Sequence, residues 1–64
     1  MKLSARNVLK GTVIEVTKGA VNAIVRIDIG GAVVSSSITI SAVEELGLTV
    51  GEEAYAVIKA SDVM

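Results

Sequence analysis

Hydrophobic and polar residues alternate most regularly between Val21 and Ile29. Val21, Ala23, Val25, Ile27 and Ile29 fall on one side, and Asn22, Ile24, Arg26 and Asp28 on the other. A period of two over this length predicts a half-buried antiparallel strand. Upstream, Val8 to Val16 is rich in β-branched residues and predicts a long strand. Gly11 inside it marks a bulge or a close backbone approach, where the strand can bend and pair on two sides. Thr17-Lys18-Gly19-Ala20 is the connecting turn, with Gly19 the residue best able to take a positive φ. Gly30-Gly31 predicts a tight hairpin turn. Val33 to Ile40 is the third strand, with Val34, Ser36, Ile38 and Ile40 on one face and Val33, Ser35, Ser37 and Thr39 on the other.

The period then changes. Ser41-Ala42-Val43-Glu44 has the form of a capping box, in which the Ser41 hydroxyl and the Glu44 carboxylate each accept from the other's amide. The predicted helix is short, Ala42 to Leu46, with Gly47 as its C′ residue and Val43 and Leu46 facing the core. Thr49-Val50-Gly51-Glu52 is a turn. Glu53 to Lys59 is the last strand, with Ala54, Ala56 and Ile58 opposed to Tyr55, Val57 and Lys59. Three strands, a helix and a strand, the first long enough to serve twice, predict an all-β fold. The expected architecture is a small OB-like Greek-key barrel of about five strands with one short helix. No repeat or linker divides the chain, so residues 1–64 are expected to form a single domain.

Composition adds a constraint. A chain of 64 residues buries only about 60 % of its unfolded surface. Such domains usually add disulfides, a metal or partner subunits. Cys and His are both absent, which excludes disulfides and thiolate or imidazole metal sites. With 52 % hydrophobic and 20 % charged residues, the chain is too apolar for a free monomer of this size, and an obligate homo-oligomer is expected. The start lacks the long apolar run of a signal peptide. The longest uncharged stretch, Ile29 to Val43, is interrupted by glycines and serines and is too short for a membrane span. Absence of Cys is compatible with the cytoplasm.

Enzyme readings fail early. Neither an imidazole base nor a thiol nucleophile is available. Glu15 and Asp28 on neighbouring strands are more often solvated charges than a catalytic pair. Single-stranded nucleic acid, the usual partner of an OB barrel, needs aromatic platforms and a basic groove. One Tyr, no Phe, no Trp and a net charge of −1 argue against it. A small oxyanion needs one or two cationic donors and several neutral ones. Two segments concentrate such groups, Ser4-Ala5-Arg6-Asn7 and Lys59-Ala60-Ser61, and Thr39 can add a hydroxyl. Singly, each is more often surface: Arg6 a solvated charge, Lys59 an edge gatekeeper, Ser4 loop filler. Their co-occurrence at the two ends of an apolar chain makes the case.

Ser4-Ala5-Arg6-Asn7 near the start of so short a chain resembles the Mop, or molbindin, family of molybdate- and tungstate-binding proteins. Lys18-Gly19-Ala20-Val21 followed by Ala23, then Glu44-Glu45-Leu46-Gly47-Leu48 with Gly51, then Ile58-Lys59-Ala60-Ser61-Asp62-Val63-Met64, match further segments in order. The resemblance implies an OB-like fold, a homohexamer built as a trimer of dimers, and molybdate or tungstate bound at subunit interfaces for intracellular storage. It implies interfacial ligands from Ser4, Arg6, Thr39, Lys59 and Ser61, with backbone amides near Ala5 and Ala60. A second site would draw on Gly19, Ala20, Val21 and Asn22. The older family name mentions a pterin, but with Tyr55 the only aromatic residue no pterin cofactor is expected. Two other readings remain open: a nucleic-acid-binding OB module, marked by salt-dependent oligonucleotide binding, and a ligand-free structural oligomer.

Overall fold

Alternate residues of the second strand bury as their pattern predicts. In a computed structural model, which describes residues 5–64 and only the backbone of Ala5 and Arg6, Ala23, Val25 and Ile27 are buried along β2 (Asn22–Asp28). The first strand, β1 (Ala5–Lys18), is longer than its β-branched run because it serves two neighbours. Its first half pairs antiparallel with β4 (Glu53–Lys59), from Ala5 opposite Lys59 to Thr12 opposite Glu53. Its second half pairs with β2, from Thr12 opposite Asp28 to Lys18 opposite Ala23. β3 (Val33–Thr39) pairs with the far side of β2 and half-buries Val34, Ser36 and Ile38. The order β3-β2-β1-β4 is that of a Greek key, curled into a half-barrel. β1, used twice, lets four strands fill the places of about five.

The two roles foreseen for Gly11 fall at different residues. The register shifts between Val13 and Glu15, so the bulge is at Ile14. The extra residue lets Val13 and Val16, three apart, both turn inward. Gly11 is the close approach, pressed against the Asp28 carbonyl and the Ile27 side chain. Gly19, expected at positive φ, is not among the residues there. Its amide instead donates to the Asn22 carbonyl at 2.8 Å, and that carbonyl leaves little room for a Cβ. The Gly30-Gly31 hairpin turn forms as expected: Ile29 donates to the Ala32 carbonyl at 3.0 Å in continuation of the Asp28–Val33 pair, both glycines take positive φ, and the Asp28 Oδ1 accepts from the Gly30 amide at 2.8 Å.

The helix α1 spans Ile40–Leu46, and its cap is Thr39 rather than Ser41. β2 begins at Asn22, opposite Thr39, so the ladder ends there and the chain turns into helix sooner than the capping box implied. The Thr39 Oγ1 accepts from the Ala42 amide at 3.1 Å, Ile40 leaves the strand, and Ser41 falls within the first turn. At the other end Gly47 takes φ 64°. Its amide donates to Glu44 at 3.2 Å and the Leu48 amide to Val43 at 3.1 Å, the paired bonds of a Schellman motif. This corrects the expectation for Leu46, which is 68 % exposed. The left-handed residue reverses the chain so that Leu48 packs against the core that holds Val43. Because a Cβ at Gly47 meets an unfavourable left-handed backbone, Gly47→Ala is expected to cost about 1 kcal/mol. Urea unfolding at fixed protein concentration measures it; an unchanged midpoint would contradict this account of the cap.

The core is small. Val13, Ala23, Val25, Ile27, Val43, Ala54 and Ala56 are its buried members, mostly valine and alanine. Between the outer edges of β3 and β4 lies an open concavity of 430 Å³, lined among others by Val34, Ile38, Leu48, Ala54 and Ile58. Val8, Tyr55 and Val57 are exposed. Among the described residues no helix is long and apolar enough to cross a membrane.

Candidate functional site

Strand pairing brings together the two donor-bearing segments at the chain's ends. Ala5 lies opposite Lys59, and the register shifts between Ala5 and Asn7, leaving the Arg6 backbone outside the regular ladder. Ser4, and the side chains of Ala5 and Arg6, lie outside the described residues. Asn7 acts within the fold. Its Nδ2 donates to the Ile58 carbonyl at 3.3 Å, tying β1 to β4 beside Lys59. Its residue type groups Asn7 with the donors; only the register reveals this tie.

Lys59 is the last residue of β4 and the N-cap of a 3₁₀ turn, Ala60–Asp62. No side-chain bond caps that turn, and the Val63 amide closes it onto the Ala60 carbonyl at 3.3 Å. Lys59, Ala60 and Ser61 are all exposed. Among the described residues the ion pairs are Lys10–Glu53 at 3.2 Å and Arg26–Glu15 at 3.9 Å, and Lys59 is in neither. The Lys10 ammonium donates to Glu53, and this bond, with the Glu53 charge, raises its pKa. That stabilisation is fully present below the ordinary lysine pKa and is lost only as pH rises through the raised value. It is therefore constant at neutral pH.

Thr39 is not brought to this corner by its own chain. It sits opposite Asn22, at the end of the sheet where β1 turns into β2. There it joins the second group of candidates. Gly19, Ala20, Val21 and Asn22 are all exposed, and the Val21 carbonyl accepts from the Ile40 amide at 3.0 Å. A single chain thus presents two separate corners: Ala5, Lys59, Ala60 and Ser61 at one, and Thr39 with Gly19 to Asn22 at the other. Neither holds a cluster of carboxylates, and no group of three or more His, Cys, Asp or Glu able to hold a cation occurs among the described residues. Of the side chains at these corners, Lys59, Ser61, Thr39 and Asn22 can donate hydrogen bonds.

Comparison with known proteins bears on what such donors would hold. The TOBE domain model matches residues 3–64. The chain is 62 % identical to a probable molybdenum-pterin-binding protein of Haemophilus influenzae, over the whole of this chain and 94 % of that protein. Its fold is similar to that of MopII from Clostridium pasteurianum, with a TM-score of 0.89 and 48 % identity over 98 % of this chain and 96 % of that one. It also resembles the cytoplasmic molybdate-binding protein ModG with molybdate bound, at a TM-score of 0.93 and 51 % identity, over 100 % of this chain and 46 % of that one.

Proposed function

The chain belongs to the TOBE domain family, among the molybdenum-pterin-binding (Mop) proteins, and from that premise we propose that it binds molybdate, and tungstate by the same chemistry, at interfaces between its own copies. The observation that carries the reading is the pairing of Ala5 with Lys59, which joins the two donor segments from opposite ends of the chain. Ser4, Arg6, Lys59 and Ser61 supply side-chain donors, and the backbone near Ala5 and Ala60 supplies amides. One guanidinium and one ammonium neutralise a dianion without a metal, and charge-assisted bonds are the stronger class. Thr39 can join this set only when another copy brings it, which is why the site is interfacial. The turn from Gly19 to Asn22 is the candidate for a second kind of site.

Assembly is supported by what one chain leaves uncovered. It exposes 4677 Å², whereas a compact monomer of this mass exposes about 3,800 Å². Val8, Val21, Leu46, Val50, Tyr55 and Val57 are among the exposed apolar side chains. A hexamer arranged as a trimer of dimers would cover such surfaces and dry the site, strengthening its hydrogen bonds. The function is non-catalytic storage of the oxyanion, in the cytoplasm and without a pterin.

Calorimetric titration of the purified protein with molybdate, with sulfate as control and the oligomer mass measured by sedimentation, tests this. Tight molybdate binding, weak sulfate binding and a hexamer mass are expected. Molybdate at a hundredfold excess over its Kd should also stabilise the fold by about 2.7 kcal/mol, seen as a rise in Tm. No heat and a flat Tm would overturn the reading.

A further inference from the structure

Asn7 stands where the pattern calls for an apolar side chain. Along β1, Leu9 and Val13 turn toward the core while Val8, Lys10 and Thr12 are exposed, and half-buried Asn7 ends the inward row. Its Nδ2 donates to the Ile58 carbonyl at 3.3 Å. On the β1 side this bond follows directly on the register shift that leaves the Arg6 backbone outside the ladder, and Asn7 is the first residue back in register. A bulge bends its strand and re-aims the residue it carries. On the β4 side the Ile58 carbonyl shares one peptide plane with the Lys59 amide. The bond therefore restrains the plane from which Lys59 and the turn Ala60–Asp62 set out, a turn with no side-chain cap of its own. One carboxamide holds both donor segments at one spacing.

The geometry points to Asn7 as a positioning residue that sets specificity: its tie to Ile58 fixes the spacing between the Arg6 segment and the Lys59–Ser61 segment, and that spacing selects molybdate over the smaller sulfate. The inference rests on the oxyanion reading above and adds a residue that acts through its neighbours without touching the anion. Molybdate and sulfate carry the same charge, so attraction to Arg6 and Lys59 distinguishes them little. Donors held at a fixed spacing do distinguish them. A smaller anion cannot reach every donor, and a donor stripped of water without a partner is costly. With the tie cut, the segments are free to close on sulfate, and molybdate loses a site formed in advance.

The test compares molybdate and sulfate affinities of the whole assembled protein with those of Asn7→Leu and Asn7→Ala, by calorimetry, with sulfate measured by displacement of molybdate. Both substitutions delete the donor, but leucine adds apolar bulk and alanine removes bulk, so they disturb packing in opposite senses. Both variants should keep the wild-type mass in sedimentation. Each should bind molybdate about three- to tenfold more weakly, since the tie can contribute no more than the net strength of one neutral hydrogen bond. Sulfate affinity should hold or rise, so the ratio of the two affinities falls by at least the same factor. A merely structural role acts differently: partial unfolding shrinks the competent fraction and lowers both affinities equally. An unchanged ratio in either assembled variant, with or without equal weakening, overturns the proposal. Loss of assembly in both variants makes Asn7 a folding residue and overturns it as well. Failure of the wild type itself to bind molybdate overturns the oxyanion reading and this inference with it.

Discussion

Replacing Arg6 with alanine is expected to lower molybdate affinity by a hundredfold or more while leaving the oligomer mass unchanged. The proposed site has two cationic side chains, and Arg6 is the one with a rigid fork of donors. Hydrogen bonds to a charged group contribute roughly 1.5–3 kcal/mol each, so losing a bidentate contact costs at least about 3 kcal/mol. The dianion would also keep only the Lys59 charge. The backbone pairing of Ala5 with Lys59 and the Asn7 tie to Ile58 do not depend on a guanidinium, so the strand end should persist. Calorimetry gives the affinity and sedimentation the mass. Arg6→Lys, which keeps the charge and loses the fork, should fall between. A variant lacking Arg6 that binds as tightly as the wild type would remove it from the site.

Gly11→Val should prevent folding. An added Cβ would stand 2.4 Å from the Asp28 carbonyl oxygen and 2.6 Å from the Ile27 Cγ2. The first of these is backbone and cannot swing aside. The second belongs to a buried side chain in a core of only a few small residues. Overpacking of well-filled sites costs about 1–3 kcal/mol and occasionally more. Here the clash falls where β1 passes from β4 to β2, so relief would loosen both ladders. Set against the roughly 3–10 kcal/mol that a chain of this length commands, the expected outcome is an unfolded or aggregated product by circular dichroism. Lys10→Ala, one residue away and outward-facing, should retain the sheet. A folded, assembled Gly11→Val would show that the strands can separate there at little cost.

Much of this architecture was legible because periodicity survives translation into burial. The alternation from Val21 to Ile29 places Ala23, Val25 and Ile27 inside, and the one from Glu53 to Lys59 places Ala54 and Ala56 inside. Gly47 was legible because only a residue at ease in the left-handed region ends a helix this way. Leu46 was not, since helical spacing cannot foresee that the chain reverses at Gly47 and sends Leu48 to the core instead. The cap moved from Ser41 to Thr39 for a similar reason: where β3 ends depends on where β2 begins, a long-range fact. Gly11 and Gly19 both stand out in the sequence, but neither takes a positive φ; their reasons lie in carbonyls on other parts of the chain.

The site divides along the same line. The residue types in Ser4-Ala5-Arg6-Asn7 and Lys59-Ala60-Ser61, with no Cys or His, are enough by themselves to point to a small oxyanion and away from metal or thiol chemistry, because donor inventory is a local property of side chains. That the two ends meet is a property of pairing register, and only the fold places Ala5 against Lys59. Only the fold, too, sends Thr39 to the corner of Asn22, because β2 and β3 align it there. Spacing along a chain says which groups exist; antiparallel pairing, which joins residues far apart in sequence, decides which of them can reach one anion.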